Sequence, residues 1–125
     1  MPIQRSTQTF PAVRIQAIAR ELLEASALCA IATVGPAHLA HVNTAYFAWS
    51  PGFDLVWLSD PDARHSKNLA TQADAAVAVY DSGQVWGGPD RGIQLLVRRR
   101  RPPAGPLSAC TSCTLGASRP TGLRT

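Results

Sequence analysis

Arg64, His65, Ser66 and Lys67 follow the acidic turn Asp60-Pro61-Asp62 in the stretch DLVWLSDPDARHSKNL, residues 54–69. Two permanent cations, an imidazole and a hydroxyl therefore cluster where an apolar, strand-like run gives way to a helix-like segment. The first-turn N–H groups of a helix lack intrahelical acceptors and carry the positive end of its dipole. A phosphate placed there meets backbone donors and cationic side chains together. The chemistry this favours is capture of a phosphorylated cofactor; the plainer alternative is a solvated helix start with a cap.

Other polar groups stand out by context. Asn43 and Thr44 interrupt an otherwise apolar run, HVNTAYFAW, and in a half-buried strand such groups need partners from backbone, water or a ligand. Gln94 sits alone among aliphatic neighbours, and its amide offers both a donor and an acceptor to the edge of a heterocycle. Trp49, Trp57 and Trp86 have faces that stack on bases or on an aromatic cofactor, but in a chain this small they read as core or interface residues. His38, His41 and His65 are too scattered to argue for a metal site, and His38 and His41 read as surface or turn residues. Cys29 lies in an apolar run and reads as a small buried hydrophobe. Cys110 and Cys113 form C-x-x-C without the further ligands zinc needs or the strand and helix of a thioredoxin-like site. No G-x-S-x-G, H-E-x-x-H, P-loop or G-x-G-x-x-G pattern occurs, so the common hydrolase and nucleotide signatures are missing. No residue is assigned a catalytic or metal-binding role.

These groups must be positioned by the elements around them. Residues 11–26 place Val13, Ala17, Ile18, Leu22 and Leu23 at helical spacing, which predicts one amphipathic helix. Strand character follows over residues 28–34, closed by Gly35-Pro36, and resumes over 39–49 and 53–59, with Ser50-Pro51-Gly52 between the last two. Such short connections predict an antiparallel meander. A short helix to about Gln72, a strand over 75–80, a glycine-rich loop over 81–92 and a strand beginning at 93–97 complete the pattern. Several short strands with a helix among them predict a mainly β fold, a small β-barrel with α-helical additions.

The chain has 125 residues, 46% of them hydrophobic, which suits one small domain with a real core. Its net charge of +4 would suggest a nucleic-acid or membrane partner if it were spread over the fold. Instead residues 1–97 carry six Lys and Arg against eight Asp and Glu, whereas residues 98–125 carry six Arg and no acid. The basic charge belongs to the tail, RRRRPPAGPLSACTSCTLGASRPTGLRT, whose composition offers little apolar burial to offset the entropy of ordering it. The expected organisation is a domain over 1–97 and a disordered basic segment over 98–125, with no nucleic-acid partner. The first residues lack the apolar region of a signal peptide, no run is long enough to span a membrane, and three cysteines without a secretory pattern point to the cytoplasm.

Taken in order, LCAIATVG, HVNTAYFAW, VWLSDPDARHSKNLA, AAVAVYDS and RGIQL resemble the pyridoxamine 5′-phosphate oxidase-like, FMN-binding split-barrel family over about residues 15–95. The resemblance implies a six-stranded split barrel, paired as a homodimer, with FMN between the subunits. It also implies that Arg64 takes the phosphate-binding arginine position, with His65, where many relatives have lysine, as a pH-dependent contact. Ser66, Lys67 and Ser59 are implied as neighbouring phosphate contacts, Val42, Asn43 and Thr44 as the strand running along the flavin, and Gln94 as a strand glutamine reaching it. The implied activity is an FMN-dependent oxidoreductase acting on an unidentified small molecule, since a bound flavin supplies the redox chemistry and the protein need only hold and tune it.

The alternatives are a non-catalytic split-barrel binding or dimerisation module, and a relative that binds deazaflavin or haem. The resemblance stops near Leu95, and the biased tail reads as the product of a truncation or a shifted reading frame. That reading leaves the barrel short of closing strands at its C-terminus, with an exposed sheet edge and weakened cofactor binding.

Overall fold

The computed structural model describes residues 9–88 and 91–100 and the backbone of 110–114. Helix α1 (Ala12–Ala25) is followed by strands β1 (Leu28–Val34), β2 (Ala40–Tyr46), β3 (Ala48–Trp49) and β4 (Asp54–Leu58), helix α2 (Arg64–Thr71), and strands β5 (Asp74–Tyr80), β6 (Gly92–Arg100) and β7 (Cys110–Thr114). All described strands form one antiparallel sheet in the order β2-β1-β5-β6-β7-β4-β3. The sheet curls so that β2, at one end of that order, lies against β4 near the other end. The result is a barrel that is hydrogen-bonded around most of its girth and split between β2 and β4.

The predicted meander holds for β1–β2 and for β3–β4, but not between them. The run expected as one strand over 39–49 breaks at Phe47, whose half-buried ring packs on the core while the chain turns from one end of the sheet to the other. Counting residues 40–49 as one strand turning a corner gives the six strands that the resemblance implies. The next turn is tight. Phe53 takes a left-handed φ of 66°, its N–H donates to the Ser50 carbonyl at 2.8 Å, and Arg20 of α1 stacks over its ring at 4.9 Å.

Strand alternation selects the core. Cys29, Ile31 and Thr33 of β1, Leu55 and Trp57 of β4, Ala75, Val77 and Val79 of β5, and Ile93, Leu95 and Val97 of β6 face inward. Ala19 and Leu23 of α1 cover this face where the helix crosses β5 and β6. Each fully buried large aliphatic side chain contributes about 1.5–3 kcal/mol relative to exposure.

The opposite face of β2-β1-β5-β6 is largely apolar and is left open by the described residues. In register across four strands stand Thr44, Ala30, Ala78 and Gln94, and beside that row Val42, Ala32, Ala76 and Leu96. Four alanines thus form a shallow floor, with Leu28, Val34, Tyr46 and Tyr80 exposed at its margins.

β6 continues to Arg100, its Arg98 side chain paired with Asp74 at 2.9 Å, and residues 110–114 form a strand bonded to both β6 and β4. Backbone pairing with two neighbouring strands supplies what this segment's composition does not offer through burial, and it occupies the edge that a barrel ending at residue 97 would expose. The other residues of the tail, 101–109 and 115–125, lie outside the described residues.

Candidate functional site

The site is built where β4 ends. The Asp60 side chain accepts from the Asp62 N–H at 2.8 Å, and its carbonyl accepts from the Ala63 N–H at 3.0 Å, so the acidic turn folds on itself and launches α2 at Arg64. No side chain caps α2. Ala63 stands at the cap position with no oxygen to offer, which disfavours the capped-helix reading and leaves the first-turn N–H groups without a side-chain acceptor.

Further along α2, Asn68 is buried and donates to Thr33 Oγ1 at 3.0 Å, while Leu69 enters the core. Gly35 permits this approach, because a Cβ on it would lie 2.9 Å from Asn68 Oδ1. The helix is therefore pinned to β1 at one end and presents Arg64 to Lys67 at the other.

Ser59 is the hub of the open end. Its hydroxyl hydrogen-bonds His65 Nε2 and the Ser66 hydroxyl, and donates to the Asp60 carbonyl at 3.3 Å. Partial burial lowers the pKa of His65, and repulsion from the nearby His41 lowers it further, so the imidazole is neutral near pH 7. Arg64 is exposed, with no ion-pair partner among the described residues, and Lys67 lies 3.9 Å from Asp62 in solvent.

A groove of about 560 Å³ opens along the split beside this cluster, within the range of small-molecule sites. His65 borders it, together with Asn43 and Thr44 of β2 and Val56, Trp57 and Leu58 of β4. Phe47 and Ala48 line it at the corner. Two polar atoms on these walls are buried without any hydrogen-bond partner: Asn43 Oδ1 and Trp57 Nε1.

The residues predicted from sequence divide into three groups. Asn43 and His65 line the groove, Thr44 borders it from β2 while its side chain belongs to the outer row with Ala30, Ala78 and Gln94, and Ser59 and Ser66 are hydrogen-bonded in one cluster with His65. Arg64 and Lys67 stand on the exposed first turn of α2, outside the lining of the groove. Val42, 65% exposed, and Gln94 lie on the alanine-floored outer face instead.

Two residues escaped sequence reasoning. Trp57 reads as a core residue and is one, yet it also walls the groove. His41 reads as a surface residue, although strand alternation puts it on the same side of β2 as Asn43, where its charge reaches His65. Cys29 is the buried thiol expected, its pKa raised to about 11 by burial, so it stays protonated at neutral pH.

The architecture matches solved structures. An FMN-binding protein from Syntrophomonas wolfei superposes with a TM-score of 0.69 at 14% identity, covering 90% of each chain. The chain is a split barrel. An F420 reductase shares the fold with a TM-score of 0.62 at 18% identity, covering 78% of this chain and 93% of its own. So does a heme-binding protein from Mycobacterium smegmatis, with a TM-score of 0.68 at 16% identity over 86% of this split barrel and 52% of the longer protein. No protein-family model and no curated protein matches the sequence. Among the described residues, no group of three or more His, Cys, Asp or Glu is placed to hold a metal ion, and no helix is long and apolar enough to cross a membrane.

Proposed function

We propose that the groove binds FMN and that this split barrel is a flavin-dependent oxidoreductase acting on a small molecule in the cytoplasm. The observation that carries the reading is a groove with largely apolar walls bordered by His65, which belongs to the first turn of an uncapped helix that also carries Arg64 and Lys67. A phosphorylated heterocycle has the same division, an anionic end that needs charge and backbone N–H groups and a flat neutral end that needs apolar contact and a few directed hydrogen bonds. The fold is also that of an FMN-binding protein and an F420 reductase.

In this reading Arg64 supplies the permanent charge and forked donors for the phosphate. Lys67 adds donors, and Ser59, Ser66 and neutral His65 each have one O–H or N–H to redirect from their shared hydrogen bonds to the phosphate. Asn43 and Thr44 run beside the ring, with Phe47, Val56 and Leu58 excluding water from it. A bound flavin supplies two-electron redox chemistry, so the chain needs no catalytic acid or base of its own. Val42 and Gln94 enter such a site only from a second copy, and the alanine floor is the surface through which two copies would pair as a homodimer. Charge at its centre opposes that pairing: Ala78→Arg is expected to halve the mass measured by light scattering.

The deciding experiment is the absorbance spectrum of purified protein before and after adding FMN. Flavin bands with one FMN retained per chain support the reading, and a colourless protein that takes up none overturns it. Because the same fold occurs in a heme-binding protein and an F420 reductase, haem or deazaflavin binding is the second reading. Either would give a different spectrum. Failure to bind all three leaves the non-catalytic module.

A further inference from the structure

We propose that His41 and His65 form one titrating pair beside the split, and that the pair takes up a proton from solvent when a phosphate docks at the start of α2, so that anion binding tightens as pH falls toward neutrality. The pair rests on the reading of α2 as the phosphate end of the site and adds control of that end by pH.

Strand register and helix pitch bring the two rings together. His41 stands opposite Thr33 in the β1–β2 ladder, so both side chains leave the same face of the sheet. On that face Asn68 of α2 donates to Thr33 Oγ1 at 3.0 Å, which fixes where the helix lies. His65 precedes Asn68 by three residues, hence on the same side of the helix and about 4.5 Å back along its axis, close to the spacing of neighbouring strands. The step runs toward the split, because His65 borders the groove and bonds Ser59 at the end of β4. Between β1 and the split lies only β2, the strand that carries His41, and α2 touches both β1 and β2. Burial lowers the His65 pKa and repulsion from His41 lowers it further, as this placement requires.

The groups around the pair are cationic or neutral. On α2 Arg64 is exposed, and Lys67 lies 3.9 Å from Asp62 in solvent. β4 ends in Ser59, whose hydroxyl bonds His65 and Ser66, while β1 offers the Thr33 hydroxyl and β2 the Asn43 amide. In the acidic turn the Asp60 carboxylate accepts the Asp62 N–H. Among the described residues no carboxylate forms an ion pair with either ring. A proton on His65 is therefore opposed by burial and by His41, with no acid to offset the cost. A phosphate dianion reverses that balance, since it attracts an imidazolium and its charge offsets the repulsion between the rings. Permanent cations alone would hold the same dianion with no such dependence on pH.

The test is imidazole NMR of the full chain, which has three histidines, followed by calorimetry with FMN. Sulfate is the first probe, a dianion with no proton of its own to titrate near neutrality, compared with chloride at equal ionic strength. It is expected to raise the titration midpoint of His41 or His65 and to leave His38, exposed in the turn between β1 and β2, in place. In chloride, His41→Gln is expected to raise the midpoint of His65. FMN affinity of the wild type is expected to rise by up to about tenfold from pH 8 to pH 7, the limit for one proton per ligand, over a range where phosphate stays largely dianionic. The double variant His41→Gln, His65→Gln is expected to flatten that rise.

No response of either ring to sulfate, an equal shift at His38, or a His65 midpoint indifferent to His41→Gln overturns the pair. FMN binding by the wild type with a flat profile from pH 8 to pH 7 also overturns it and leaves the flavin reading standing. Rings that answer to sulfate in a chain that takes up no FMN support the pair and overturn the flavin reading. The sulfate and FMN measurements on the wild type need no variant to fold.

Discussion

Asn68 and Leu69, in the second half of α2, are buried and fixed, one by a hydrogen bond to Thr33 and the other by the core. Arg64 and Lys67, in the first turn of the same eight-residue helix, stand in solvent, with an alanine where a capping oxygen would be. The difference separates two jobs. The buried half sets where the helix lies and is optimised for stability. The exposed half leaves its N–H groups and the Arg64 charge without side-chain partners among the described residues, a local cost that makes sense where a ligand completes the structure.

If that division is real, substitutions in the two halves should have opposite signatures. The largest effect is expected at the lock. Gly35→Val would drive a side chain against Asn68 and part its bond to Thr33, costing about 1–3 kcal/mol in urea unfolding. A wild-type midpoint would show that Asn68 moves freely and that the lock is not tight. Next comes Arg64→Ala. FMN affinity should fall by about tenfold, for the loss of one exposed charge-assisted contact, with the urea midpoint unchanged. Arg14→Ala, which removes a cation that stacks on Phe10 at 5.0 Å on α1, should leave affinity intact. Equal affinities in the two variants would break the assignment of the phosphate to α2.

The smallest effect concerns pH. The folded state lowers the pKa of His65 below its ordinary 6.5, so the unfolded chain binds this proton more readily. Stability from this group is therefore fully present above pH 6.5 and is lost as pH falls through the lower folded value. His65→Gln should flatten that part of the profile of unfolding free energy against pH, and an unaltered slope would mean the imbalance arises elsewhere.

Much of this was legible in the chain because it is written in local rules. Apolar runs marked β1, β5 and the start of β6, helical spacing marked α1, and the acidic turn followed by R-H-S-K-N marked the start of α2. What escaped was non-local. Phe47 looks like the middle of a strand, and only its packing on the core reveals a corner. Val42, Asn43 and Thr44 are consecutive, so they alternate between faces, and no motif says that Asn43 opens on the groove while Val42 joins the outer floor. Gln94 was conspicuous as a polar residue among aliphatics, but its row with Thr44 across Ala30 and Ala78 exists only through strand pairing.

The amino-acid order by itself determined the two helices, most of the strands before residue 100 and where the cationic turn falls, because periodicity and turn chemistry act over a few residues. Tertiary structure alone decided that β2 meets β4 across a split, that residues 110–114 pair between β6 and β4, and that Trp57 and Asn43 are left unpartnered on one groove. Each of these depends on which distant segments come together. That choice is made by the total burial and hydrogen bonding of the whole sheet, to which no single stretch of sequence holds the key.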